Sequence, residues 1–224
     1  MAITLGLRST TAAPVSPAFD PAWDDVSIGA RLFMNTASLN TTFEDAAFAP
    51  DASTANLDIL GRQWVGPPMG AQTILAQTIK LQIRAMEGGK NGNMFLAWSL
   101  RICSRNGSTI RGTLVALQRD GTEMDEKKVE NRGDSATSTE LVILNGDRLV
   151  LEVGAGGTPS GASDHEYLIR IGSSTTAGNL PEDDIDQTEK NPWLFLTNTP
   201  TAATADPQGT RFQVNQSVSR GATF

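Results

Sequence analysis

Two stretches of strict alternation constrain this chain more than any other feature. In "IKLQIRAM", Ile79, Leu81, Ile83 and Ala85 alternate with Lys80, Gln82 and Arg84; in "MFLAWSLRIC", Met94, Leu96, Trp98, Leu100 and Ile102 share one side. Successive side chains of a strand point to opposite faces, so a period of two sets one row against a core and the other in water. The intervening "EGGKNGN" has the composition of a hairpin turn, so the two runs are expected to pair as antiparallel neighbours.

Further strand-like runs follow at short spacing: residues 57–65, 109–118, 140–144, 147–153, 166–171, 192–197 and 211–218. No long amphipathic helix separates them, which predicts an all-β chain, a jelly-roll-like antiparallel β-sandwich. The expected organisation is an N-terminal arm over residues 1–35, a sandwich domain over 36–198 and a C-terminal extension or edge strand over 199–224. Both ends are rich in Ala, Thr and Pro, yet Ile3, Leu5, Leu7, Phe19 and Trp23 near the start are too apolar for a free tail. They are expected to pack on the chain's own domain or on a neighbour. Together with Phe212, Val214 and Phe224 they are the candidate subunit-contact residues. "TTFEDAAFAPD" suggests one helical turn between Thr42 and Pro50, and the polar stretch over 119–139 reads as a long loop offering a second contact surface.

Charge narrows the partners. Lys and Arg total 18 against 25 Asp and Glu, a net charge of −7 that repels polyanions and argues against nucleic acid. No stretch reaches the ~20 apolar residues of a membrane-spanning helix, and the start lacks the pattern of a signal peptide. Cys103 is the single cysteine, expected as a buried thiol.

Chemistry-bearing patterns are sparse. "GDRLVLEVGAGGTPSG" places glycines after a strand, but no Lys-Ser/Thr closes a phosphate loop and Pro159 stands where a dinucleotide fingerprint needs its last glycine. Gly154, Gly156 and Gly157 are therefore read as a bend joining "DRLVLEV" to "EYLIRI" as paired strands. His165, the single histidine, lies between Asp164 and Glu166, whose alternate directions on a strand do not converge on one atom. The acidic run of Glu182, Asp183, Asp184, Asp186 and Glu189 lacks the spacing of an EF-hand and reads as solvated, with calcium as the alternative. Trp64, Trp98 and Trp193 fall in strand-like runs and are expected in a core rather than on a sugar-stacking platform. No catalytic, cofactor or metal residues are assigned.

"MAITLGLRSTTAAPVSPAFDPAW", "QWVGPPMGAQTILAQTIKLQIRAME", "RGTLVAL", "GDRLVLEVG" and "NLPEDDIDQTEKNPWLFLT" with a terminal Phe resemble a family of tailed-bacteriophage virion structural proteins. The resemblance spans most of the chain, which departs from the pattern in its "TNTPTAATADPQGTRFQVNQSVSR" extension. It implies a jelly-roll-like virion component without enzymatic activity, made in the host cytoplasm and built into the particle. The expected role is a capsid decoration (cement) protein, most simply a trimer contacting the major capsid protein. A tail, neck or baseplate component, a carbohydrate-binding module on the virion surface, and an enzyme using His165 or the 182–186 run are the alternatives.

Overall fold

The computed structural model describes residues 2–27, 31–36, 44–48, 56–87, 93–126, 128–158, 167–172, 179–182 and 190–204. Every regular element among them is a strand: β1 (Ile3–Ala12), β2 (Asp25–Val26), β3 (Leu32–Asn35), β4 (Glu44–Phe48), β5 (Leu57–Pro68), β6 (Gln72–Ile74), β7 (Thr78–Glu87), β8 (Asn93–Cys103), β9 (Ile110–Glu123), β10 (Glu130–Thr137), β11 (Leu141–Ile143), β12 (Arg148–Thr158), β13 (Tyr167–Ile171) and β14 (Trp193–Leu196). The chain is all-β, as its alternation predicts. Twelve strands form one sheet in the order β4-β13-β7-β14-β1-β3-β5-β12-β8-β9, with β10 added to β7 and β2 to β5; β6 and β11 form a separate ladder. The large sheet is mixed, because β2 and β3 run parallel to β5 while its other pairs are antiparallel.

The alternating rows are buried as expected, but they do not form a hairpin. Strand β7 pairs with β10, β13 and β14, whereas β8 pairs with β12 and β9. Ile79, Leu81 and Ile83 nevertheless share one apolar cluster with Leu96, Trp98 and Leu100, and with Leu5, Leu7, Leu151 and Val153. Strands far apart in the sheet order meet in that cluster, so the sheet curves over itself. Alternation reports which face is buried, not which strand lies alongside. The polar rows depart from expectation too: Gln82, Arg84, Ser99 and Arg101 are buried, because other segments cover the second face.

The glycines following Val153 are not a bend. Strand β12 continues to Thr158 between β5 and β8, and β13 pairs with β4 and β7 instead. A Cβ on Gly156 would lie 2.0 Å from Asp58 Oδ1 and 2.3 Å from Arg119 Nε. These two side chains form an ion pair at 2.8 Å across the strand, so glycine serves close approach there.

Two other local expectations are corrected. Residues 44–48 form a strand rather than a helical turn, held by the β13 ladder and by Arg170, whose Nε and Nη2 donate to Asp45 at 2.5 and 2.6 Å. Most of the presumed loop over 119–139 is strand as well, at the end of β9 and in β10. Its charged residues find partners within the chain: Arg132 pairs with Asp120, and Asp134 accepts from Trp98 Nε1 of β8 at 2.7 Å.

Residues expected in an N-terminal arm supply β1, β2 and β3 to the main sheet. Strand β1 sits between β14 and β3, with Leu5 opposite Leu194 and Leu7 opposite Met34. Its apolar row completes the common core, which is why so short a segment carries so many hydrophobes. Trp64, Trp98, Trp193 and Cys103 are buried, as expected.

Candidate functional site

The most developed polar constellation lies on the outer face of β5, β12 and β8. Leu151 and Val153 turn inward, so Glu152 turns outward, directly opposite Gln63 on one neighbour and Ser99 on the other. Glu152 is 0 % exposed. Its carboxylate accepts from Arg101 Nη2 at 2.7 Å, Gln63 Nε2 at 2.8 Å, Trp23 Nε1 at 2.9 Å, Asp20 N at 3.1 Å and Ser99 Oγ at 3.4 Å. Arg101 also donates to Ala18 O at 2.8 Å and lies 3.5 Å from Asp20 Oδ2. Arg31 stacks over Phe19 with 4.3 Å to the ring centroid and donates to Gln63 Oε1 at 2.9 Å. Below this network Trp23, Leu60 and Ala97 form a second apolar cluster, against which Phe19 and Leu117 pack.

A buried ion pair holds when its remaining hydrogen-bonding capacity is met; Glu152 is well supplied with donors, whereas Arg101 donates through Nη2 and its Nε has only the Asp20 carboxylate at 3.5 Å. The carboxylate is surrounded by donors from its own chain, so the constellation acts as a latch fixing residues 18–24 to the sheet. It leaves no open face for a substrate. The signal in the sequence is Glu152 itself, a lone charge within "LVLEVGAGG".

A second polar site is a cavity of about 240 Å³ lined by Lys80, Gln82, Asp134, Ser135, Glu182 and Trp193. Lys80 and Glu182 form an ion pair at its edge. Asp134 Oδ2 accepts from Trp98 and Gln118, and Oδ1 from Ser135 N at 2.8 Å. Its charges thus meet partners within the chain. Of the acidic run, Glu182 is placed here; Asp183, Asp184, Asp186 and Glu189 lie outside the described residues, as does His165. Among the described residues no group of three or more His, Cys, Asp or Glu is arranged to hold a metal.

Among the described residues Glu87 is the carboxylic acid with the most altered proton affinity. It continues the inward row of Ile79, Leu81, Ile83 and Ala85, so its strand position buries it. Burial first, then the nearby carboxylates of Glu123, Glu126 and Asp125, raise its pKa to about 7, against a hydrogen bond from Met94 N that lowers it. Asp120 is raised by burial as well, despite its pairing with Arg132. Parity along β7 was the overlooked signal for Glu87.

One end of the molecule is apolar. The β6–β11 ladder pairs Ile74 with Leu141 and Gln72 with Ile143. Leu75, Val142 and Leu144 are 57 %, 67 % and 52 % exposed there, three of the four large exposed hydrophobics among the described residues. Beside them a groove of about 360 Å³ is lined by Ile3, Leu5, Pro67, Pro68, Leu149 and the 199–202 run. Of the candidate subunit contacts, Leu5, Leu7 and Trp23 are 2 %, 0 % and 6 % exposed within their own chain, while Ile3 and Phe19 are half-buried against it. The structure gives these five an intramolecular packing role. Phe212, Val214 and Phe224 lie outside the described residues. The exposed apolar end was missed because Val142 and Leu144 look like any other strand hydrophobes in sequence.

No family model matches the chain, and no curated protein does. A CocE/NonD family hydrolase from Staphylococcus aureus shares the fold at a TM-score of 0.51 and 8 % identity, over 88 % of this chain and 36 % of its own. A second crystal structure of a hydrolase of that family and organism aligns over 73 % of this chain and 34 % of its own, at a TM-score of 0.45 and 8 % identity. The chain thus spans about a third of the hydrolase's length. This likeness overturns the expectation that the chain has no enzymatic role: its fold occurs as part of a hydrolase, so a sparse motif inventory does not exclude enzymatic work. At this identity the fold is what is shared.

Proposed function

We propose that this chain is a structural component of a bacteriophage virion, built as a jelly-roll sandwich and attached to its neighbours through its apolar end. The carrying observation is the exposure of Val142 on β11 and of Leu75 and Leu144, one residue past the ends of β6 and β11. A large exposed apolar patch on a rigid sheet favours burial against a partner. The sequence resemblance to tailed-phage virion proteins supports the particle context, and capsid decoration as a trimer is the simplest form of it. A tail, neck or baseplate position would use the same surface.

The test is co-sedimentation of the purified chain with particles lacking it, followed by a cryo-EM map. Val142→Lys with Leu144→Lys should leave the β circular-dichroism spectrum unchanged and abolish particle binding. Undiminished binding by that variant would remove the apolar end from the interface, and absence of the chain from the particle map would remove the virion role.

The fold likeness supports a second reading, in which this β fold works as one part of a hydrolase. Release of p-nitrophenol from short-chain esters by the purified chain, above a boiled control, would favour it.

A further inference from the structure

We propose that the apolar end takes an acidic partner: an extended protein segment whose apolar core covers Val142 and Leu144 and whose carboxylates meet the arginines gathered around the 144–147 turn. This rests on the apolar end being the attachment surface, and names the chemistry of what it holds.

Three guanidinium groups converge on that turn from separate segments. Arg105, in the loop after β8, arches over Gly146, where an added Cβ would meet its Cδ at 2.8 Å. Arg111, at the start of β9, lies 3.4 Å from Asp147 through its Nε. Arg148 sits opposite Pro68 in the β12–β5 ladder and donates from Nε to Arg105 O at 3.2 Å and from Nη1 to Gly66 O at 3.0 Å. Pro68 lines the apolar groove, so a positive charge stands at the groove wall. Leu144, 52 % exposed, opens the same turn.

Little opposes these charges locally. Asp147 is 1 % exposed, and its carboxylate accepts from Leu144 N at 2.8 Å as well as facing Arg111. Glu140 precedes β11, at the end of that strand away from the turn. The bonds of Arg148 go to carbonyls, which leave its charge uncancelled. Segments 66–78, 104–114, 138–149 and 197–204, which build this end, hold three arginines against these two acids; the remainder of the chain holds 15 Lys and Arg against 23 Asp and Glu. The sign of the charge is therefore reversed where three of the four exposed large hydrophobics among the described residues gather.

Those two properties together select the partner. Apolar side chains supply contact without choosing among partners, whereas complementary charge steers encounter and rejects like-charged surfaces. Arginine keeps its charge and pairs carboxylates through a planar fork, which suits it to an interface. A second copy docked face to face would set these arginines against themselves, so an isologous pair is disfavoured. A carboxylate-flanked strand of another molecule meets both demands.

The test is a fluorescence-anisotropy titration of the full chain against two labelled octapeptides, one with a Leu-Val-Phe-Val core between paired glutamates and one with the same core between paired lysines. At low salt the glutamate peptide should bind about ten-fold more tightly. That preference should vanish at about 1 M salt, where the Debye length is only about 3 Å. Arg105→Glu, at an exposed loop position, should erase the preference at low salt while the β circular-dichroism spectrum stays unchanged, and Arg105→Gln should halve it or more. Val142→Ser with Leu144→Ser should weaken both peptides alike. Equal binding of the two peptides at low salt, or tighter binding of the lysine one, would overturn the acidic partner. Self-association of the chain that is lost in the double serine variant would also overturn it, by assigning the end to a second copy. Failure of the glutamate peptide to bind would overturn it whether or not the chain co-sediments with particles, and co-sedimentation by itself decides the virion role.

Discussion

Replacing Glu152 by glutamine tests whether the buried latch holds the N-terminal segment. In the native carboxylate Oε1 accepts from Arg101 and Gln63, while Oε2 accepts from Trp23, Asp20 and Ser99. A glutamine amide presents its NH₂ to one of these donor sets in either orientation, so donor faces donor whichever way it sits. Arg101, nearly inaccessible, keeps only Asp20 Oδ2 at 3.5 Å as a counter-charge. Breaking a buried pair costs about 3–5 kcal/mol; the surviving aspartate places this case near about 3 kcal/mol. Urea unfolding followed by tryptophan fluorescence should show the midpoint falling by about 1–2 M at unchanged slope. A double variant, Glu152→Leu with Arg101→Met, removes both charges and should recover to within about 1 kcal/mol of wild type. A loss below about 1 kcal/mol for Glu152→Gln, or a double variant no better than the single one, would refute the latch.

Three further outcomes follow from the packing. Deleting residues 2–24 removes Leu5, Leu7 and Trp23 from buried positions, at ~1.5–3 kcal/mol each; against a typical total of ~5–15 kcal/mol this should abolish the cooperative thermal transition. A native-like transition in calorimetry would show that β1 is dispensable. Glu87 holds its proton in the folded state up to about pH 7 but loses it near 4.5 when unfolded, so native stability falls as pH rises between those values. The full shift corresponds to about 3 kcal/mol, and solvent screening leaves roughly 1–2 kcal/mol. Glu87→Gln should therefore match wild type near pH 5 and exceed it at pH 8; equal stability at both would contradict the assignment. Gly156→Ala should cost about 1–2 kcal/mol by displacing the Asp58–Arg119 pair. The cost should shrink in an Arg119→Ala background, whereas strict additivity in urea melts would place the conflict elsewhere.

What the sequence made legible was the direction of side chains, and what it hid was adjacency. The rows of Ile79 and Leu96 were readable because burial follows parity, and parity is local. Their partners were not, because the same inward row serves a strand beside β7 or one across the core from it. Gly156 misled for a related reason: glycine in a sequence signals a turn or a close approach with equal force, and only Asp58 and Arg119, 98 and 37 positions away, decide between them. The presumed N-terminal arm was misplaced because low-complexity composition dilutes the pattern of Leu5 and Leu7, and the pairing of Leu5 with Leu194 spans most of the chain.

That last placement changes where contacts with other molecules are to be sought. A segment whose tryptophan donates to a buried carboxylate and whose leucines complete the core cannot be lent to a neighbour without unfolding its own domain. Under the proposed structural role, adhesion falls to surfaces that the fold leaves uncovered. The β6–β11 ladder is such a surface, because it is paired to itself and not to the large sheet, so its exposed valine and leucines can be buried without breaking any ladder of the core. A partner that adds a strand there would gain backbone hydrogen bonds and bury those side chains at once. Charge on Val142 and Leu144 should therefore weaken association while leaving the unfolding midpoint untouched, whereas loss of the latch should do the reverse first.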